Sequence, residues 1–239
     1  MVDVHCHIIP NVDDGSQSVE QTFEMLKEAE EVGFTDIIAT SHFMLGNYEN
    51  NPNELAFWKD KIQEILIATE NKLRIYSGME IYISNDITSL IKENKLLKMA
   101  NSRYILIELP FNSEVKYFEN VMYYLQSYNL IPVIAHPERY KYVQKNPKIV
   151  KEYIDQGCLM QCNYGSIIDL YGKDAKNTVK YLLKHNLVHF LGTDCHKPNS
   201  IYKQIPEAAK KIKKLIGEDQ FELISTTNPI KILENEELD

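Results

Sequence analysis

Seven short apolar, β-rich runs punctuate this chain, and almost every one ends in a histidine, an aspartate or a glutamate. They read MVDVH, TDIIAT, LRIYSG, YILIEL, PVIAH, CLMQC and LVHFLGT. Between them lie amphipathic stretches of helical period: SVEQTFEMLKEAEEVG, PNELAFWKDKIQEILIATEN, EVKYFENVMYYLQSYN, PKIVKEYIDQG and AKNTVKYLLKHN. Ser18 suits the N-cap of the first and Gly33 its other end. Alternation of this kind predicts parallel strands joined by right-handed crossovers. The runs are apolar at successive positions, as strands are when helices cover them. A doubly wound open sheet usually carries a glycine-rich first turn. None is present, which favours an α/β distorted barrel of seven strand–helix units, a single domain over residues 1–239 with no linker, repeat or low-complexity tract.

The strand ends carry the chemistry. The first run ends in His5 and His7, which flank Cys6; residues two apart on a strand share one side, so both imidazoles face one spot. The second ends in His42, the third in Glu80, the fourth in Glu108, the fifth in His136 and the seventh in Asp194 and His196. The sixth ends in Asn163, a weaker candidate. In a β/α barrel these positions converge on the C-terminal mouth, where barrel enzymes keep their catalytic groups. Five of the seven histidines fall there; His185, at a helix end, and His189, within a strand, need no function. Carboxylates and imidazoles crowded into one cavity are costly to bury without partners, and divalent cations remove that cost. Mixed His/Asp/Glu ligation without cysteine suits zinc, manganese or iron. Period two turns Cys6 and Cys195 away from the candidate ligands, so both are expected to be packing residues.

Charge and cysteine content narrow the class. A net charge of −8 argues against non-specific nucleic-acid binding. No apolar stretch approaches the roughly 20 residues of a membrane span, and no secretory leader pattern opens the chain. Cys158 and Cys162 would lie roughly 13 Å apart on one strand, too far to bridge. A reduced, cytoplasmic protein is the expectation. The lysine cluster KKIKK (210–214) is expected to be a solvated helix face, and the acidic tail NEELD to fray.

The ordered set HCH, VDDG, TSH, GMEIY, IELP, AHPER and TDCH resembles the PHP (polymerase and histidinol phosphatase) superfamily. Within it, the chain is most similar to the bacterial PHP-type tyrosine-protein phosphatases of capsule and exopolysaccharide clusters, over essentially its whole length. The resemblance implies a distorted seven-stranded barrel and three divalent metal ions, most often discussed as Mn2+, with Fe, Zn or Mg as alternatives. It implies that His5, His7, Glu80 and Asp194 hold one ion, that Glu80 bridges to a second held also by Glu108 and His136, and that Asp14, His42 and His196 hold the third. Asp13 is the local competitor of Asp14, whose choice rests on the resemblance. Arg139, just past His136, would grip phosphate with its planar fork, and His42 would assist the leaving group. The chain departs from the family after TSH, where FMLGNYEN carries no basic residue, and after TDCH, where Lys197 and Lys203 replace an arginine; both departures touch substrate contacts.

The implied activity is metal-assisted hydrolysis of phosphotyrosine on a tyrosine autokinase that regulates polysaccharide export. Two alternatives stay open: a small-molecule phosphoesterase such as a histidinol-phosphate phosphatase, and a metal-binding regulatory module without turnover. A cysteine phosphatase needs Cys-x5-Arg, but the residues six on from the cysteines are Val12, Tyr164, Ile168 and Ile201. That class is excluded. GSIIDLYGKD has the wrong spacing for a phosphate-binding loop and no Ser/Thr after Lys173.

Overall fold

In the computed structural model, which describes residues 1–238, all seven strands form: β1 (Val2–Cys6), β2 (Asp36–Phe43), β3 (Arg74–Tyr82), β4 (Tyr104–Glu108), β5 (Ile131–Ala135), β6 (Leu159–Asn163) and β7 (Phe190–Gly192). They pair in parallel in simple sequence order. The chain folds as a nearly closed, distorted β/α barrel. Backbone hydrogen bonds complete the circuit between the outer strands: Asp194 N donates to His5 O (2.7 Å) and His7 N to Cys195 O (2.9 Å). A buried carboxylate reinforces this seam. Asp3 accepts from Thr193 N (2.9 Å), Thr193 Oγ1 (2.6 Å) and the Tyr202 hydroxyl (2.8 Å).

Alternate strand residues divide between two apolar layers, which is why the runs read as continuously apolar. Val2, Val4, Ile38, Tyr104, Leu106, Val133 and Phe190 share an inner cluster. Ile37, Ala39, Ile105, Ile107, Ile134 and Leu191 belong to the outer one, under the helices. β1 breaks this period between Asp3 and Cys6, where its register against β2 shifts. Val4 joins the inner cluster, yet the next residue, His5, also reaches the barrel interior at the mouth. Such an irregularity re-aims a side chain, and here it hands the upper half of β1 to polar chemistry. Cys6 packs in the outer layer.

The expected helices are present at Val19–Glu31, Pro52–Ala68, Phe118–Ser127, Ile149–Asp155 and Gly172–Lys184. Ser18 caps the first, its side chain accepting from Gln21 N. Two expectations need correction. His189 lies before β7 and not within it, because β7 begins at Phe190; its Nδ1 accepts from Met160 N at 3.0 Å. The tail is docked, not frayed, up to the last described residue. After the helix Asn228–Glu234, Asn235 adopts a left-handed conformation (φ 58°) and turns the chain under the barrel. There Tyr104 Oη donates to Glu236 O (2.6 Å), and Arg103 N donates to Asn235 Oδ1 (2.8 Å). Asp239 lies outside the described residues. Ile232 from that helix and Met99 from a short turn plug the barrel floor.

Candidate metal centre

The strand register sets the first contacts at the mouth. His42 on β2 stands opposite Glu80 on β3, and the two glutamates of β3 and β4 point into the same cavity. Glu80 is the hub. Its Oε2 lies 3.2 Å from His5 Nε2, 3.4 Å from His7 Nε2 and 3.1 Å from His42 Nδ1, yet accepts no hydrogen bond. Its Oε1 pairs with His136 Nε2 at 2.8 Å. Glu108 Oε1 stands 3.8 Å from the same His136 nitrogen. Asp194 Oδ1 is 3.6 Å from both His5 Nε2 and His7 Nε2. At the rim, Asp14 Oδ1 lies 3.5 Å from His42 Nε2 and 3.4 Å from His196 Nε2. All nine residues named from the sequence therefore meet in one place.

Partners behind three imidazoles orient them. His5 Nδ1 is 2.8 Å from Gln161 Oε1, His7 Nδ1 is 2.9 Å from Asp13 Oδ2, and His196 Nδ1 is 2.9 Å from Asp194 O. Each acceptor engages Nδ1 and turns Nε2 towards the cavity, as partners behind metal-binding histidines do. This separates the two aspartates of VDDG. Asp13 is buried and accepts also from His42 N and Gly15 N, both at 2.9 Å; it serves the orientation of His7. Asp14 is exposed and faces His42 and His196. Gly15 closes this turn because a Cβ there would lie 2.3 Å from His7 O.

Gln161 is the functional residue that the sequence reading missed. It sits mid-run in CLMQC, and its signal was there: a polar residue in an otherwise apolar buried strand. Its Nε2 donates to Asn163 Oδ1 (2.9 Å), and Asn163 Nδ2 donates to Asp194 Oδ2 (2.7 Å). His136 and Asp194 both adopt left-handed backbone (φ 33° and 54°). Such strain in residues other than glycine gathers at functional sites.

Arg139 follows His136 on a short 3-10 turn, Pro137–Arg139. Its Nη1 donates to Asp194 Oδ2 at 2.6 Å, and its guanidinium lies between the rings of Tyr171 (4.4 Å) and Phe111 (5.0 Å). The buried Glu138 anchors the turn by accepting from Asn163 N (2.8 Å) and Ser166 Oγ (2.6 Å). Arg74 and Arg103 pair instead with Asp36 and Glu237. Lys203 is drawn to Glu28, and Lys197 is exposed.

Charge at the mouth is finely opposed. Burial alone would raise the Glu80 carboxyl, but His5, His136 and His7 hold it well below the usual carboxylate range. Burial and the charge on Glu80 push Glu108 up to about 8. Burial works against a charged His5, yet Glu80 and Asp194 raise it to about 9. Asp13, despite burial, is held near 2 by His7 and two backbone amides. Protons thus occupy positions that cations neutralise better. The orphaned Glu80 Oε2, ringed by three imidazole nitrogens, is the clearest sign that these residues fit metal ions. Three groups have ligand atoms close enough to share an ion: His7, Asp14, His42 and His196; His5, His7 and Glu80; and His42, Glu80 and Glu108. This grouping cuts across the three sets implied by the resemblance, placing His7 with the rim residues and His42 with both glutamates.

Comparison with known proteins agrees with this picture. Residues 1–234 match the family described as capsular polysaccharide synthesis, CpsB/CapC. The chain is 33% identical to the tyrosine-protein phosphatase YwqE of Bacillus subtilis, over 99% of this chain and 92% of the relative. It is 31% identical to the tyrosine-protein phosphatase CpsB of Streptococcus pneumoniae, over 98% of each. A solved structure from work on YwqE and CpsB, described as unique metal-dependent tyrosine phosphatases, superposes with a TM-score of 0.94 at 33% identity, covering 100% of this chain and 96% of that one. A histidinol phosphate phosphatase from Lactococcus lactis shares the fold, with a TM-score of 0.61 at 16% identity over 90% of this chain and 93% of that one. The chain belongs to the CpsB/CapC family of capsular polysaccharide synthesis.

Proposed function

We propose that this chain is a metal-dependent tyrosine-protein phosphatase, acting on phosphotyrosines of a bacterial tyrosine autokinase that regulates capsule or exopolysaccharide synthesis. One observation carries the metal-dependent part: a buried carboxylate oxygen on Glu80 faces three imidazole nitrogens and accepts no hydrogen bond. His5, His7, Asp14, His42, Glu80, Glu108, His136, Asp194 and His196 would hold three divalent ions, Mn2+ being the first choice. Such ions supply an activated water and stabilise charge on the phosphoryl group.

The protein's own groups do the rest. Gln161, Asp13 and the Asp194 carbonyl hold the Nδ1 side of His5, His7 and His196, so that each Nε2 is aimed inward as the atom an ion would take. Arg139, clamped between Phe111 and Tyr171, presents a fixed guanidinium beside the cavity for phosphoryl oxygens. His42, at the rim and buried enough to be lowered to about 4, is neutral at pH 7. It reaches both Glu80 and Asp14, where it would hold an ion and assist the leaving group; the leaving phenolate, with pKa about 10, needs little protonation. The reading as a small-molecule phosphoesterase is tested directly by comparing phosphate release from a phosphotyrosine peptide with that from histidinol phosphate. Preference for the peptide is expected. Turnover of histidinol phosphate alone would replace the proposal, and turnover of neither would favour a binding module.

A further inference from the structure

The lysine cluster left over from the sequence does not stand alone. The helix Gly172–Lys184 carries Lys173, Lys176, Lys180 and Lys184, and the neighbouring helix Ile205–Ile216 carries Lys210, Lys211, Lys213 and Lys214. Those eight lysines face only Asp174 and Glu207 on the same two helices, in a chain of net charge −8. Charge asymmetry of this size marks an interaction surface for a polyanion.

The helices enclose a groove of about 380 Å³, lined by Lys176, Lys180, Lys211, Lys214, Ile167 and Leu215. Lys176 and Lys211 have anionic partners in Asp169 and Glu207. Lys180 and Lys214 make no ion pair or hydrogen bond among the described residues. The groove also has a direction. Tyr171, whose ring stacks on Arg139 at the mouth, immediately precedes the helix that carries Lys176 and Lys180. At about 1.5 Å per residue, Lys176 lies roughly 7 Å and Lys180 roughly 13 Å along the helix from that tyrosine.

We propose that this groove captures an acidic stretch of polypeptide flanking the phosphotyrosine that enters the mouth. The proposal rests on the phosphotyrosine-protein reading above and deepens it. A peptide is favoured over an anionic membrane because the lysines line a recess with an apolar floor. A membrane-binding face instead presents its basic residues beside protruding apolar ones. The remainder of the surface, being strongly acidic, would repel an acidic substrate, so a local basic track decides where such a chain can lie.

The test uses the intact metal-loaded protein and the variant Lys180→Glu/Lys214→Glu, which changes no residue of the metal centre. Three aryl phosphate substrates are compared: a phosphotyrosine peptide with glutamate-rich flanks, the same peptide with glutamine flanks, and p-nitrophenyl phosphate. The double variant is expected to raise KM for the acidic peptide by roughly tenfold at low ionic strength, with kcat, the glutamine-flanked peptide and p-nitrophenyl phosphate unchanged. Equal effects on both peptides, or none on either, overturn the proposal. Fluorescence anisotropy of a labelled glutamate-rich peptide without phosphotyrosine keeps the test independent of turnover: wild type should bind it and the variant should not. If that binding is seen while no phosphotyrosine is hydrolysed, the groove stands and the phosphatase reading fails. Lysine-dependent binding to phosphatidylserine vesicles with indifference to the acidic peptide would assign the surface to a membrane instead.

Discussion

The two ends of the barrel are built from the same seven strands and follow opposite rules. The floor is apolar: Val2, Val4, Tyr104, Leu106, Phe190 and Ile232 pack there, and a docked tail covers them. The mouth gathers carboxylates and imidazoles, an orphaned glutamate oxygen, and two residues with left-handed backbone. The change happens within single strands. On β1 it takes one register irregularity between Asp3 and Cys6; on β4 it takes only the step from Leu106, inside the floor cluster, to Glu108 at the mouth. The floor stabilises the fold, and the mouth retains unpaired polarity that a bound cation and substrate would relieve.

Substitutions at the two ends should separate accordingly. The largest effect is expected at Glu80. Glu80→Ala should lower kcat/KM on a phosphotyrosine peptide by more than about 10³-fold and reduce bound metal, while the thermal midpoint of the metal-free protein does not fall. A marked loss of metal-free stability would mean that the mouth, too, holds the fold together.

Next comes Arg139. Arg139→Ala should lower kcat/KM by roughly 10²–10³-fold, as loss of one charged transition-state donor does. Metal content should be retained, because Asn163 Nδ2 still holds Asp194 Oδ2. Normal turnover would move phosphate recognition elsewhere, with the exposed Lys197 the first place to look.

At the floor, Ile232→Ala opens a cavity in the inner cluster and should cost roughly 2–5 kcal/mol of stability. Denaturant melts would measure this, and kcat per folded molecule should be unchanged. Altered metal content in this variant would show that floor and mouth are coupled.

The smallest effect concerns acid sensitivity outside the mouth. Burial lowers His189 to about 4, and its neutral Nδ1 accepts the Met160 amide. Because the folded value lies below the ordinary 6.5, the stability it contributes is complete above about pH 6.5 and is lost as the pH falls towards 4. Wild type should therefore lose roughly 1–3 kcal/mol more than His189→Asn between pH 7 and 4. Parallel pH profiles for the two proteins would leave acid loss to the mouth alone.

Much of this was legible in the sequence because strand ends in a parallel barrel share one destination. The positions of His5, His42, Glu80, Glu108 and His136 follow once the runs are read as strands. The resemblance supplied the choice of Asp14 over Asp13, which strand period cannot make, since both lie in a turn whose course depends on Gly15 packing against His7. Gln161 escaped notice because its role depends on reaching His5 past Gly192 of the intervening β7 at the closing seam, a contact between residues 156 positions apart. The docking of the tail was hidden for a similar reason. NEELD has the composition of a frayed end, and its partners, among them the Tyr104 hydroxyl and the backbone and guanidinium of Arg103 beneath the barrel, appear only in the fold.

The most direct test of a metal-dependent mouth is to strip the purified protein with a chelator, count residual metal by inductively coupled plasma mass spectrometry, and assay phosphate release from a phosphotyrosine peptide. The stripped protein should be inactive, and activity should return with added divalent ion in proportion to the metal bound, Mn2+ being tried first. Full activity from demonstrably metal-free protein would contradict the assignment of Glu80 and its surrounding imidazoles as a metal centre.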